Sequence, residues 1–293
     1  MSVLETADAL TRARVPFVQA TVVRAQRPTS AHAGDTALVR ADGVIDGFVG
    51  GTCAETSVRE YGLRVLSAGE PLLLRIVPDL AHAAPDEEGA VTVANPCLSG
   101  GSVEIFLEPR VPAPRVLVVG DTPIAVALAE LGVPLGFAVE RTTGEDAAPQ
   151  PDDAALVVAS HGRGEEPALE AALRLGVPYV GLIASRKRGT AVLASLDLPD
   201  ELKARVRTPA GLDIGARTAA EIALSVLAQM VETRRTPAAA PAPEPAAAID
   251  PVCGMSVAMV PSSLSAEVDG TTVWFCAPGC RKAYLRDPAR YAS

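Results

Sequence analysis

A chain of 293 residues with a net charge of −9 and 48% hydrophobic residues has room for about two domains with substantial cores. Its acidic balance speaks against a broad nucleic-acid surface and against anionic lipid, both of which need a basic face. No apolar run approaches the ~20 residues that span a bilayer and no basic-then-apolar leader opens the chain, so a soluble, cytoplasmic protein without a membrane span is expected.

Along residues 1–109, "VLETADALTRAR" predicts a helix, "FVQATVVRA", "TALVR" and "PLLLRIV" predict strands, and "SVEIFLEP" predicts the strand that closes the segment. Between them, "FVGGTCAETSVREYG" places Cys53 after Gly50 and Gly51. Thr52 and Glu55 have the spacing of a capping box, with Ala54, Val58, Tyr61 and Val65 at helical intervals and Gly69 as the stop. That setting predicts Cys53 as the first helical residue, where unpaired N–H groups and the helix dipole favour a thiolate. A small buried cysteine packing the helix start is the competing reading. A second cysteine, Cys97, falls in a turn with Gly100 and Gly101 just before the closing strand. The five cysteines form two groups, which in a cytosolic chain points to metal or reactive thiols before a disulfide framework. A Cys53–Cys97 disulfide stays open.

After the proline-rich boundary "EPRVPAP", residues 114–235 alternate strand and helix: "RVLVVG", "PIAVALAELG", "GFAVE", "AALVVAS", "EPALEAALRLG", "VPYVGLIA", a helix from "SRKRGTAVLASL", and a last helix in "TAAEIALSVLAQMVETRR". Such alternation predicts a parallel sheet covered on both faces, with any ligand at the carboxyl ends of its strands. There, "GDTPIA" resembles a degraded dinucleotide loop. Gly120 is in place, Thr122 stands where the second glycine belongs, and Glu140 lies where a ribose-binding acid would. Thr122 and Pro123 equally suit a helix cap and first turn. His161 at the same edge is a loop hydrogen-bonder or a ligand contact. Ser185 and Arg186, opening "SRKRG", are a helix cap and a phosphate contact or simply a solvated face.

The stretch "TPAAAPAPEPAAA", with four prolines, seven alanines and one charge, predicts a semi-extended linker over 236–248 that reaches roughly 40 Å. Beyond it, 249–293 holds Cys253, Cys276 and Cys280. So short a segment buries little apolar surface, and a metal would supply the missing stabilisation. Cys276 and Cys280 flank a Pro-Gly pair, predicted as a turn before a helix, so both thiolates would face one ion. Three soft thiolates suit Zn(II) or Cu(I). The tail has no histidine, which leaves Asp250, Asp269, Met255, water or a partner's group as a fourth ligand. Three cysteines packing a small apolar core is the alternative.

"DPVCGM", the aromatic strand, "FC…GC" and the closing "DPARY" resemble a YHS domain of the TRASH-like metal-binding group. "PTSAHAGDTALV", "GGTCAE", "CLSGGSVEIFLEP", "VLVVGDTPIA", "YVGLIASRKR" and "PAGLDIGARTAAEIALSVLAQ" resemble, in order, the XdhC/CoxI family of accessory proteins for xanthine dehydrogenase and aerobic carbon monoxide dehydrogenase. The fold class that follows is α/β: an N-terminal mixed α+β domain, a Rossmann-like parallel-sheet domain, and a small metal-binding β-hairpin/helix module. The family resemblance implies a chaperone that binds molybdenum cofactor (molybdopterin) as cargo, supports its sulfuration, and inserts it into a molybdenum hydroxylase client. A cysteine desulfurase and a second copy of the chain are further expected partners. Carried over residue by residue, Cys53 and Cys97 are the thiols expected to touch the cofactor, with Cys53 a candidate sulfur relay and Gly50, Gly51, Gly100 and Gly101 shaping the approach. The sheet edge with His161, Ser185 and Arg186 would hold the pterin phosphate, Gly120 and Thr122 are further cofactor-binding candidates, and Cys253, Cys276 and Cys280 would hold a zinc or copper ion. This makes the chain a binding and hand-over protein more than an enzyme. The rivals are a metal-delivery protein whose tail swings over the cofactor site, and a nicotinamide- or flavin-dependent oxidoreductase.

Overall fold

Alternating burial along "FVQATVVRAQ" sends Val18, Ala20 and Val22 into a core and makes β1 (Phe17–Gln26) the centre of a half-buried sheet. The computed structural model describes residues 2–79, 87–95, 101–160, 162–235 and 246–291, which divide into two compact units. One comprises Met1–Pro112 together with Ala239–Ser293, and the other Ala113–Ala238. No helix among the described residues is long and apolar enough to cross a membrane.

In the first unit, helix α1 (Val3–Arg12) precedes β1, and its cap Ser2 forms a capping box with Glu5. The sheet adds β2 (Thr36–Arg40), β3 (Ile45–Gly47), β4 (Leu72–Val77), β5 (Ala90–Ala94) and β6 (Ser102–Arg110) in the order β3-β2-β1-β6-β4-β5. All pairs are antiparallel except β4 with β5. Helix α2 (Thr52–Ala68) lies on this sheet, burying Val58 and Val65 against Val39, Leu74 and Ile105, and ends at a left-handed Gly69 as expected.

The second unit carries β7 (Arg115–Val119), α3 (Pro123–Gly132), β8 (Ala138–Thr142), β9 (Ala155–Val158), α4 (Glu165–Leu175), β10 (Tyr179–Leu182), α5 (Arg186–Ser195), the short α6 (Asp200–Lys203), β11 (Val206–Arg207) and α7 (Ala219–Arg235). Its five strands are all parallel, ordered β11-β10-β9-β7-β8. Successive β7 residues serve opposite faces. Val116 and Val118 pack with α3 and α7, while Leu117 and Val119 pack with α4 and α5. The strand order reverses between β7 and β9, which is where a doubly wound sheet opens a crevice.

The tail belongs to the first unit. It contains β12 (Ala247–Ile249) paired with β13 (Ser256–Ala258), the hairpin β14 (Leu264–Val268) and β15 (Thr271–Phe275), and α8 (Pro278–Arg286). Asp269 and Gly270, at φ 49° and 78°, form the two-residue hairpin turn, so Asp269 serves the turn and stands outside the cluster of donors around Cys276. Strand β12 begins inside the stretch expected as linker, and residues 236–245 lie outside the described ones. The tail, expected from its linker to swing, is docked on α2, the helix face turned away from the sheet. Thr56 donates to the Cys276 carbonyl at 2.8 Å, and Ser256 donates to Glu60 Oε1 at 2.9 Å. Ser262 adds a bond to the Asp42 carbonyl at 3.0 Å.

Candidate functional site

Asp250, with no exposed surface, organises the tail's thiols. Its Oδ1 accepts from the Val252 N–H at 2.9 Å and its Oδ2 from the Cys276 N–H at 2.8 Å. Its carbonyl accepts from the Gly254 N–H at 2.8 Å, which closes the "DPVCGM" loop. The loop is thereby pinned to the end of β15, and Cys253 meets Cys276 with their sulfurs 3.5 Å apart. Helix α8 begins at Pro278, so the Pro-Gly pair expected as a separate turn is the helix's own first turn. It brings Cys280 back to within 3.7 Å of the Cys276 sulfur.

One donor atom from each of Asp250, Cys253, Cys276 and Cys280 lies within 4.8 Å of the others. Four sulfurs around a tetrahedral zinc stand about 3.8 Å apart, given Zn–S bonds of about 2.3 Å. The sulfur separations here match an ion's ligand shell and exceed a disulfide bond. The donor set therefore fits a thiophilic ion. Met255 is buried among the same thiols, in a small core with Val257 and Trp274.

Protonation follows the packing. The Cys253 thiol is drawn below the ordinary thiol range, chiefly by its hydrogen bond with Cys276. Hydrogen bonds with Cys253 and then Cys53, followed by burial, push Cys276 far up, and burial pushes Cys280 up to about 12. A cation entering this set would replace protons that the thiols hold.

Cys53 is the second residue of α2, not the first. Gly51 caps the helix without a side-chain hydrogen bond, and Glu55 N–H bonds to the Gly51 carbonyl, so the Thr52–Glu55 capping box does not form. Backbone geometry already starts the helix at Thr52, which puts its hydroxyl too late to cap. Cys53 remains in the first turn, where N–H groups lack helical partners. It packs against the small core of Met255, Val257 and Cys276, as Cys253 and Cys280 do. It also lines a cavity of about 730 Å³ with Arg27, Thr29, Ser30, Asn95, Gly101 and Ala277. Gly101 is required there, because a Cβ would stand 2.0 Å from the Pro28 carbonyl oxygen. Gly50, at φ 133°, turns the chain into α2.

Sequence reasoning did not single out Arg27, Thr29, Ser30 or Asn95 as site residues. Thr29 and Ser30 sit in "PTSAHAGDTALV", where a run of small polar residues ahead of a strand was the available signal. Cys97, Gly100 and His161 lie outside the described residues.

The remaining predicted positions belong to the second unit. Thr122 caps α3, accepting from the Ala125 N–H at 3.3 Å with Pro123 in the first turn. Gly120, at φ 132°, lets the end of β7 pass the Ala159 carbonyl, which a Cβ would meet at 2.3 Å. Glu140 is held by Arg115 at 2.9 Å, which engages the acid that a nucleotide ribose would need. Ser185 caps α5 through the Arg188 N–H at 3.3 Å. Ser185 and Arg186 line a second cavity of about 690 Å³ with Pro209, Gly211, Leu212 and Asp213. Arg188, from the same basic run, pairs with the buried Glu165, which also accepts from Ser160 Oγ at 2.9 Å and the Gly162 N–H at 2.8 Å. The structure thus brings Cys53, Gly51 and Gly101 to one cavity and Ser185 and Arg186 to another.

Comparison with known proteins gives two family matches: the XdhC and CoxI family over residues 10–77 and the XdhC Rossmann domain over residues 116–230. Together they take in more than half of the chain. An uncharacterised Escherichia coli protein, YqeB, is 28% identical over 80% of this chain and 46% of its own length. A Bacillus subtilis protein described as a probable subunit of xanthine dehydrogenase is 28% identical over 46% of this chain and 47% of its own length. The chain thus spans about half the length of these relatives. A solved Bacillus halodurans structure, described as a xanthine dehydrogenase, aligns with a TM-score of 0.40 at 17% identity, covering 83% of this chain and 98% of that one.

Proposed function

We propose, for a chain that belongs to the XdhC and CoxI family, that it is an accessory protein which carries molybdenum cofactor to a molybdenum hydroxylase of the xanthine dehydrogenase or carbon monoxide dehydrogenase type. The observation that carries this reading is Cys53, held in the first turn of α2 on the wall of a cavity of about 730 Å³. That volume falls within the roughly 300–1,000 Å³ of small-molecule sites. The lining suits an anionic ligand with a soft metal-bound face. Arg27 and the positive end of the α2 dipole favour negative charge, Thr29, Ser30 and Asn95 offer hydrogen bonds, and Cys53 offers sulfur. Bound there, the cofactor brings the molybdenum–pterin chemistry that its client uses. This chain's residues hold it, exclude water and present one thiol for ligation or sulfur exchange.

The test is to purify the full chain from cells that make molybdopterin and assay bound pterin by its fluorescence after oxidation. The expected result is pterin on the wild type and much less on Cys53→Ser. A wild type without pterin, or a Cys53→Ser variant carrying as much, overturns it.

A second reading, favoured by the four-donor cluster, is that the tail binds zinc or copper. Titration of the full chain with Zn(II) and with Cu(I) against a competing chelator should give one tight site that Cys253→Ser weakens. Binding that leaves the cluster variants unaffected would sink it.

A further inference from the structure

Cys53 belongs to two neighbourhoods at once. It lines a cavity, and it packs against the small core that holds Cys276, the most buried sulfur of the tail cluster. It is not one of the four residues whose donors all lie within 4.8 Å of one another. Asp250 completes that set, while Cys53 is the next sulfur outward. The wall between cluster and cavity is also shared on the tail's side, since Ala277, which follows Cys276, lines the cavity. The join is built. The buried Thr56–Cys276 bond, the Ser256–Glu60 bond and the apolar packing of Cys53 with Met255 and Val257 fix the tail on α2 at this spot.

We propose that Cys53 is an exchange ligand through which a thiophilic d10 ion, carried as cargo on the tail cluster, passes to an acceptor that enters the cavity. The proposal rests on the reading of the tail as a metal site. In the step, a bond forms from the ion to the Cys53 sulfur as the bond from the ion to the Cys276 sulfur breaks. The Cys53 thiol gives up its proton as it binds the ion, and the freed Cys276 thiolate takes one up. The ion keeps its oxidation state, and no oxidant or reductant is needed. Cys253, Cys280 and Asp250 hold the ion during this first exchange; donors of an acceptor in the cavity then replace them and Cys53 one bond for one, and the freed thiolates take up protons. The placement suits this role: a fifth donor touching one ligand but standing outside the shell is positioned to displace that ligand.

The experiment loads the full chain with Zn(II) and follows transfer to a chromogenic chelator by stopped flow, alongside zinc content at equilibrium. Cys53→Ser is expected to keep one zinc per chain and to slow transfer about tenfold or more, the lower end of losses seen when a supporting group of a metal site is removed. Gly51→Phe tests the route. Gly51 has an ordinary φ of −71°, and a Cβ there meets no atom within 4 Å, so a large side chain can enter the cavity beside Cys53. It too is expected to slow transfer. An unchanged rate in either variant, or zinc content lost in Cys53→Ser, overturns the relay. The former means that the ion leaves another way, and the latter that Cys53 is a fixed ligand. A wild type that binds no zinc overturns the metal reading itself, which distinguishes the two failures.

Discussion

The hydroxyl of Thr56 on α2 donates to the backbone carbonyl of Cys276 at 2.8 Å, a buried bond between residues 220 positions apart. One side chain on a helix from the first third of the chain thereby fixes the strand end that carries the tail's central thiol. Thr56→Val keeps the shape and removes the donor. Leaving the buried carbonyl unpaired should cost about 1–3 kcal/mol. Urea unfolding should show the loss, and faster amide exchange in 273–280 should localise it.

The Asp250 carboxylate accepts its two backbone N–H bonds without an ion. Asp250→Asn turns one acceptor into a donor facing an N–H group. The metal-free chain should lose about 1–3 kcal/mol of stability in the tail. A thermal melt of the metal-stripped chain unchanged by this substitution would contradict the role assigned to Asp250.

Alkaline pH should loosen the metal-free chain. Burial raises the Cys280 thiol to about 12 from an ordinary 9.0, and hydrogen bonding raises Cys276 as well. Below the ordinary thiol range both states keep these protons, and the stability they contribute is complete. From about pH 9 toward 12 the unfolded chain sheds protons that the native chain retains, so stability falls. Cys253, shifted downward, contributes above its ordinary range and loses that contribution only at lower pH, so it does not mask the effect. Replacing Cys280 by Ala should flatten the decline of melting temperature between about pH 9 and 11.

In the second unit, Gly120→Ala places a Cβ 2.3 Å from the Ala159 carbonyl oxygen at a backbone angle that side chains rarely adopt. The end of β7 must then move away from β9. The expected cost is about 1–3 kcal/mol of strain, read by denaturant titration.

Asp153→Ala should cost more. Its carboxylate is fully buried and holds Arg115 at 2.9 Å, while Glu140, the guanidinium's other partner, is largely exposed. Removing the buried partner leaves an under-compensated charge, worth about 3 kcal/mol or more. An Asp153→Ala chain with wild-type unfolding behaviour would refute this.

Local pattern in the sequence set most of the elements. The alternation of β1, the strand–helix alternation from β7 to α7, and the caps at Thr122 and Ser185 each depend on neighbours within a few residues. Strand β11, two residues long, and β3, three residues long, carry too little pattern to be seen without the sheet they join. The sequence also marked the tail cysteines and Asp250 as candidate ligands, because their residue types carry the chemistry. It misjudged the start of α2, where backbone geometry made Gly51 the cap. What the sequence could not contain was the meeting of Cys53 with Cys276. That contact depends on where the tail docks, and docking is decided by the bonds that Thr56 and Glu60 make to it and by the apolar surface around Met255 and Val257. Those are interactions between segments some two hundred residues apart, and only the folded chain brings them together.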